Sequence, residues 1–150
     1  TDSLGNLNSG LSATFSELNP GTSYSFTVYA ESSVGTSESS PVSNSVTPIV
    51  MPGSPLNVLV SVGNEQAEIT WIEPASNGGS PVLSYNITTN IGGISATTTE
   101  MSHVLTGLTN GVEYTVTVAA TTIAGTGPSS VASEIFFSYN QQINMIIIIM

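Results

Sequence analysis

Leu108-Thr109-Asn110-Gly111-Val112-Glu113-Tyr114-Thr115-Val116-Thr117-Val118-Ala119-Ala120 decides the fold of this 150-residue chain. Asn110-Gly111 is a turn dipeptide, because both residues tolerate the left-handed backbone of a tight reversal. Behind it, Tyr114, Val116, Val118 and Ala120 alternate with Thr115, Thr117 and Ala119. A period of two places the first set on one face of an extended strand and the second set on the other.

The same pattern occurs 90 residues earlier, with no gap. Pro20-Gly21 aligns with Asn110-Gly111, Tyr24-Ser25-Phe26-Thr27-Val28-Tyr29-Ala30 with Tyr114 to Ala120, and Gly35-Thr36 with Gly125-Thr126. Ser12 to Leu18 likewise aligns with Ser102 to Leu108. So long a period suits tandem small domains rather than a solenoid. Further alternating runs are Val58/Val60/Val62, Ala67/Ile69/Trp71 and Leu83/Tyr85/Ile87. Turn clusters separate them at Gly63-Asn64, Pro74 to Pro81, Gly92-Gly93 and Gly125 to Pro128. No stretch carries a capped 3.6-residue period. The chain reads as all-β, an antiparallel β-sandwich built of short strands.

Composition removes several functions. The chain has no lysine and no arginine, so its ten acidic residues are unopposed and the formal net charge is -10. Phosphate neutralisation, the electrostatic basis of nucleic-acid affinity, has no residues to work with. Polybasic attraction to an anionic membrane surface is equally absent. Only 7% of residues are charged, against roughly a quarter in an average soluble chain. The surface is therefore mainly neutral and Ser/Thr-rich, with no trypsin site. There is no cysteine, so apolar packing alone must hold the core.

Residues from Pro52 to about Phe137 resemble a fibronectin type III domain. The resemblance rests on Pro52-Gly53-Ser54-Pro55, on the tryptophan of Ala67-Glu68-Ile69-Thr70-Trp71, and on the Pro74 to Pro81 loop. It continues through Tyr85-Asn86-Ile87, Leu108 to Tyr114 and Ala124-Gly125-Thr126-Gly127-Pro128-Ser129. It implies an immunoglobulin-like sandwich with a core of Ile69, Trp71, Tyr85, Ile87, Leu108, Val116 and Val118. It also implies a tyrosine corner, a hydroxyl bonded back to upstream backbone, at Tyr114 and its counterpart Tyr24. Residues 1–48 resemble only the C-terminal half of such a domain, with strand E near Ala13–Glu17, F near Tyr24–Ala30 and G near Val42–Thr47. The expected organisation is a half-domain over 1–48, a short semi-rigid linker over 49–52, a complete domain over 53–137 and an apolar tail over 138–150. Three strands cannot bury Phe15, Phe26 and Val28 by themselves. Either the chain is a portion of a longer polypeptide, or another chain completes the sandwich by strand addition.

The search for chemistry yields no catalytic, cofactor or metal residue. His103 is the one histidine and Asp2 the one aspartate, and no Gly-x-Ser-x-Gly elbow joins them. The glutamates are scattered without the Asp-x-Asp pattern of a calcium loop. Arg-Gly-Asp adhesion is excluded for want of arginine. Thr122 to Pro128 reads as a tight structural F–G loop. Carbohydrate stays an open ligand class without support, since the resemblance puts Trp71 in the core. Asn86-Ile87-Thr88 is the single Asn-x-Ser/Thr sequon, with Asn86 facing outward, and is a glycan acceptor only in a secretory setting. Met145-Ile146-Ile147-Ile148-Ile149-Met150 is too short to span a bilayer, which takes about 20 residues. Ile146, Ile147, Ile148 and Ile149 are instead candidate partner contacts.

The expectation is a non-enzymatic spacer, coat or adhesion element, located extracellularly, on a cell surface or on a virion. Its partners would be other protein subunits or neighbouring domains of the same chain. The alternatives are an accessory module of a secreted carbohydrate-active enzyme, a membrane-proximal ectodomain and a virion-associated subunit.

Overall fold

A computed structural model describes residues 12–140 of the chain. The Ile146–Ile149 run and Asp2 lie outside the described residues. Contacts divide the chain into two units, Thr1–Val50 and Met51–Met150.

In the first unit the regular strands are β1, Glu31–Ser32, and β2, Gly35–Thr36, paired as a short antiparallel hairpin. The expected strands at Ala13–Glu17, Tyr24–Ala30 and Val42–Thr47 are not regular; only the bridge between Tyr24 and Val46 marks the last two. The reason lies in the facing segment. Phe26, Val28 and Ala30 donate their backbone N–H groups to the hydroxyls of Ser43, Ser40 and Ser37, at 2.9, 3.0 and 2.9 Å. The N–H groups of those serines return to the carbonyls of Phe26, Val28 and Ala30, each at 2.8 Å. The serines are three residues apart and their partners two. The serine side therefore climbs more slowly than a pleated strand, and its carbonyls do not meet the opposing N–H groups. A hydroxyl substitutes for each carbonyl, so the N–H groups of Phe26, Val28 and Ala30 all keep an acceptor.

The second unit contains β3 Leu56–Val62, β4 Gln66–Ile72, β5 Ser84–Thr89, β6 Ser95–Thr98, β7 Ser102–Thr106, β8 Val116–Thr122 and β9 Gly125–Ser129. They form two antiparallel sheets, one ordered β3-β4-β7 and the other β6-β5-β8-β9. The inward residues of one sheet are Ala67, Ile69, Trp71 and Leu105, and of the other Tyr85, Ile87, Val116, Val118 and Ala120. Leu108, Tyr114 and Phe136 close one end of the core. Each fully buried Ile or Val contributes about 1.5–3 kcal/mol relative to exposure. Alternation is followed closely, with two exceptions: Leu83 shares parity with Tyr85 but is 58% exposed, and Ala119, of outer parity on β8, is buried.

The N-terminal approach to β3 is packed rather than linker-like. Pro52 and Pro55 are fully buried. A side chain at Gly127 would overlap the carbonyl oxygen of Pro52, so β9 can pass this segment only as glycine. The expected linker 49–52 thus stops short of Pro52. Packing also runs past Phe137: Ser138 is buried and Tyr139 donates its N–H to the Gly63 carbonyl at 3.2 Å. The expected F–G loop is a two-residue turn, Ile123-Ala124, between β8 and β9.

The serine ladder recurs after β9. Val118 and Val116 donate to the hydroxyls of Ser130 and Ser133 at 3.0 and 3.1 Å, and Tyr114 and Phe136 exchange backbone bonds as Tyr24 and Val46 do. Ser130→Ala leaves the buried Val118 N–H without its acceptor and is expected to cost about 1–3 kcal/mol. It should lower the urea midpoint at unchanged slope, whereas exposed Ser129→Ala should stay within about 0.5 kcal/mol of the parent. Equal midpoints for the two variants would show that the ladder is decorative.

Candidate interaction surfaces

Four strands present one continuous polar line. On β6, Thr97 donates its hydroxyl to Asn86 Oδ1 on β5 at 2.9 Å. Asn86 Nδ2 donates to Thr121 Oγ1 on β8 at 3.3 Å, and Thr121 shares a 2.9 Å hydroxyl bond with Thr126 on β9. Pairing of Asn86 with Thr97 and of Thr121 with Thr126 sets the line in register. The inward neighbours Tyr85 and Ile87 are buried, so strand parity leaves Asn86 on the outer face. Ser84, Thr88, Ser95 and Thr117 share this face by parity. It offers hydroxyl and amide groups and no charge. Sequence reading singled out Asn86 as a sequon and missed its role as a cross-strand bridge; the available signal was the Thr/Asn content of one parity.

Both tyrosines lie at turn ends. Tyr114 Oη accepts the Thr109 N–H at 3.1 Å, and Tyr24 Oη accepts the Asn19 N–H at 3.0 Å. Each bond spans five residues and ties the turn preceding the tyrosine to the extended segment that follows it. Tyr114 is buried and stacks obliquely on Phe136 at 6.0 Å. The ladder serines 130 and 133 escaped the sequence reading as well. Their signal is a serine at every third position, visible at Ser37, Ser40 and Ser43 as well.

Trp71 lies in the core, 5.3 Å edge-on to Tyr85, and so presents no ring face for sugar stacking. His103, on β7, stands opposite Ile69 and is half-buried, with no ion pair among the described residues. Every glutamate among the described residues is exposed, and no group of three His, Cys, Asp or Glu converges there. A groove of about 240 Å³ runs between Val58, Leu59 and Val60 and the segment Ser133–Phe136. It is smaller than the roughly 300–1,000 Å³ of a small-molecule site.

With this geometry the fold class is an immunoglobulin-like antiparallel sandwich. The chain belongs to the fibronectin type III family, whose model matches residues 2–46 and 53–136. Such domains are structural and interaction modules rather than catalysts. A Kelch domain-containing protein of Sulfurisphaera tokodaii is 32% identical over 133 residues, a match spanning 89% of this chain and 18% of that protein. The chain thus corresponds to a small part of that relative's length. Among solved structures, the titin kinase with its flanking domains aligns at TM-score 0.54 and 26% identity over 59% of this chain and 17% of that one. A crystal structure of domains from titin aligns at TM-score 0.58 and 18% identity, over 86% of this chain and 52% of that one, a likeness of fold alone.

Burial raises the Tyr85 hydroxyl above its usual value of 10.0, and the negative charge of Glu73 pushes it the same way. The folded state therefore favours the neutral phenol. That contribution is fully present below pH 10.0 and is lost as pH rises through the higher folded value. Stability in urea is expected to fall above pH 10.0, and Tyr85→Phe to remove part of that fall. An identical alkaline decline in the variant would contradict this assignment.

Proposed function

We propose that this chain is a non-catalytic spacer and interaction module of an extracellular or particle-surface assembly. The observation that carries the reading is the outer face of the β6-β5-β8-β9 sheet. Its hydroxyls and amide are bonded to one another across four strands, at Thr97, Asn86, Thr121 and Thr126. A pre-bonded neutral face meets another protein surface with little side-chain ordering left to do. Because it has no cations, its contacts would depend little on salt. Other protein subunits, or neighbouring domains of the same polypeptide, are the partners such a face suits.

Supporting the reading are the family membership, the tandem arrangement of the two matched segments and the small share of its relative's length that the chain covers. The net charge of -10 favours solubility and disfavours nucleic acid and anionic lipid as partners. A location outside the cell or on a particle follows the same reasoning: a chain without lysine or arginine presents trypsin-like proteases with no cleavage site.

Antibodies against the second unit, applied to intact source cells or particles, test this. Labelling without permeabilisation, retained after trypsin treatment and at high salt, is the expected result. Labelling that appears only after permeabilisation would overturn the location, and release at high salt would overturn the neutral contact.

A further inference from the structure

The chain contains two Asn-Gly dipeptides among its described residues, and their surroundings differ in every group that matters for one reaction. Asparagine followed by glycine loses its side-chain amide when the glycine nitrogen attacks Cγ. We propose that Asn77–Gly78 is a self-modification site, and that Asn110–Gly111 is held inert by the fold.

Asn77 is exposed in the loop between β4 and β5. Its Oδ1 accepts the Gly79 N–H at 3.0 Å, which draws electron density from Cγ and favours attack there. Its Nδ2, the leaving group, has no hydrogen-bond partner among the described residues. The nucleophile, the Gly78 nitrogen, donates to the Ser76 hydroxyl at 3.2 Å and belongs to a buried residue, so its proton meets solvent only when this loop opens. Gly78 has φ +72° and no Cβ, so nothing on the residue itself obstructs ring closure.

At Asn110 each of these groups is committed. Oδ1 accepts the Glu65 N–H at 3.0 Å and Nδ2 donates to Asn64 Oδ1 at 2.8 Å, fixing Cγ from both sides. The Gly111 nitrogen donates to the Ser138 carbonyl at 3.0 Å. Attack here would require three hydrogen bonds to break together.

The step at Asn77 balances with water alone. Solvent base removes the Gly78 amide proton, and the nitrogen forms a bond to Asn77 Cγ. The Cγ–Nδ2 bond then breaks, and ammonia departs with a proton from solvent. Water opens the resulting succinimide at either carbonyl, giving aspartate or isoaspartate. The product adds one carboxylate to a chain that has no lysine or arginine to pair with it. The isoaspartyl form also lengthens the loop backbone by one methylene. The reaction would thus give the domain a slow, irreversible increase in negative charge at one loop.

Incubation of the intact chain at mildly alkaline pH, followed by glutamyl endopeptidase digestion and mass spectrometry, tests the proposal. Cleavage at Glu73, Glu100 and Glu113 separates peptide 74–100, containing Asn77, from peptide 101–113, containing Asn110. In the folded chain, fragmentation should place the unit mass gain at Asn77, with Asn110 at least about tenfold slower. In strong denaturant the two rates should converge, and Asn64→Ala should accelerate Asn110 in the folded chain. Conversion at Asn110 as fast as at Asn77, or an Asn77 that converts only once the chain is unfolded, would overturn the proposal.

Discussion

Everything in the second unit depends on two apolar sheet faces being closed against each other. Ile69 and Trp71 on β4 meet Ile87 on β5 and Val116 and Val118 on β8, and of these only Trp71 retains any exposure, 5%. The first unit shows what the same chain pattern does without that closure. Phe26 and Val28 occupy the positions of Val116 and Val118 in the repeat, with the same serine partners and the same tyrosine-anchored bridge. Yet Val28 is 62% exposed and Phe26 only half-buried, stacked on Phe15 at 4.6 Å. Local hydrogen bonding is alike in the two units. Among the described residues, what differs is the opposing sheet, and with it most of the apolar burial.

Hydrogen-bond accounting explains why the last segment of each unit is not a conventional strand. A pleated partner would offer a carbonyl to every second N–H of the facing strand. The segments Ser37–Val46 and Ser130–Phe136 instead advance three residues for every two opposite, and hydroxyls accept what carbonyls cannot reach. Several of these hydroxyls also donate to the next carbonyl along, as Ser133 does to Glu134 at 2.9 Å. Ser37, Ser40, Ser43 and Ser133 thus both accept and donate, which a threonine could imitate only if its extra methyl found room. The arrangement keeps the segment bonded while leaving its own apolar residues, Val131 and Ile135, at the surface.

This accounts for what the sequence could and could not disclose. Strands β4, β5 and β8 were legible because alternation is obeyed wherever one face is buried, and Trp71, Ile69, Tyr85, Ile87, Leu108, Val116 and Val118 all lie in the core. The expected strands of the first unit were not realised as regular strands, because alternation in Tyr24 to Ala30 reports the pattern of one side and says nothing of the three-residue step opposite. Leu83 shows the limit of parity: its N–H still donates to the Thr121 carbonyl at 2.8 Å, yet its side chain is exposed. For the candidate surface, parity located Asn86 on the outer face, but its bonding to Thr97 and Thr121 depends on strand order, which no local pattern encodes. The close approach of Gly127 to Pro52 was likewise invisible, being a contact between residues 75 positions apart.

The account's central claim is that closure of the sandwich, and not the serine ladder, supplies the stability of this fold. Native-state hydrogen exchange read amide by amide on the whole chain tests it most directly, because Val116 and Val118 have ladder equivalents in Phe26 and Val28. The account predicts strong protection at Val116 and Val118, reaching the global stability of the unit, and exchange many-fold faster at Phe26 and Val28. Equal protection at the four amides would contradict it, since the ladder alone would then suffice.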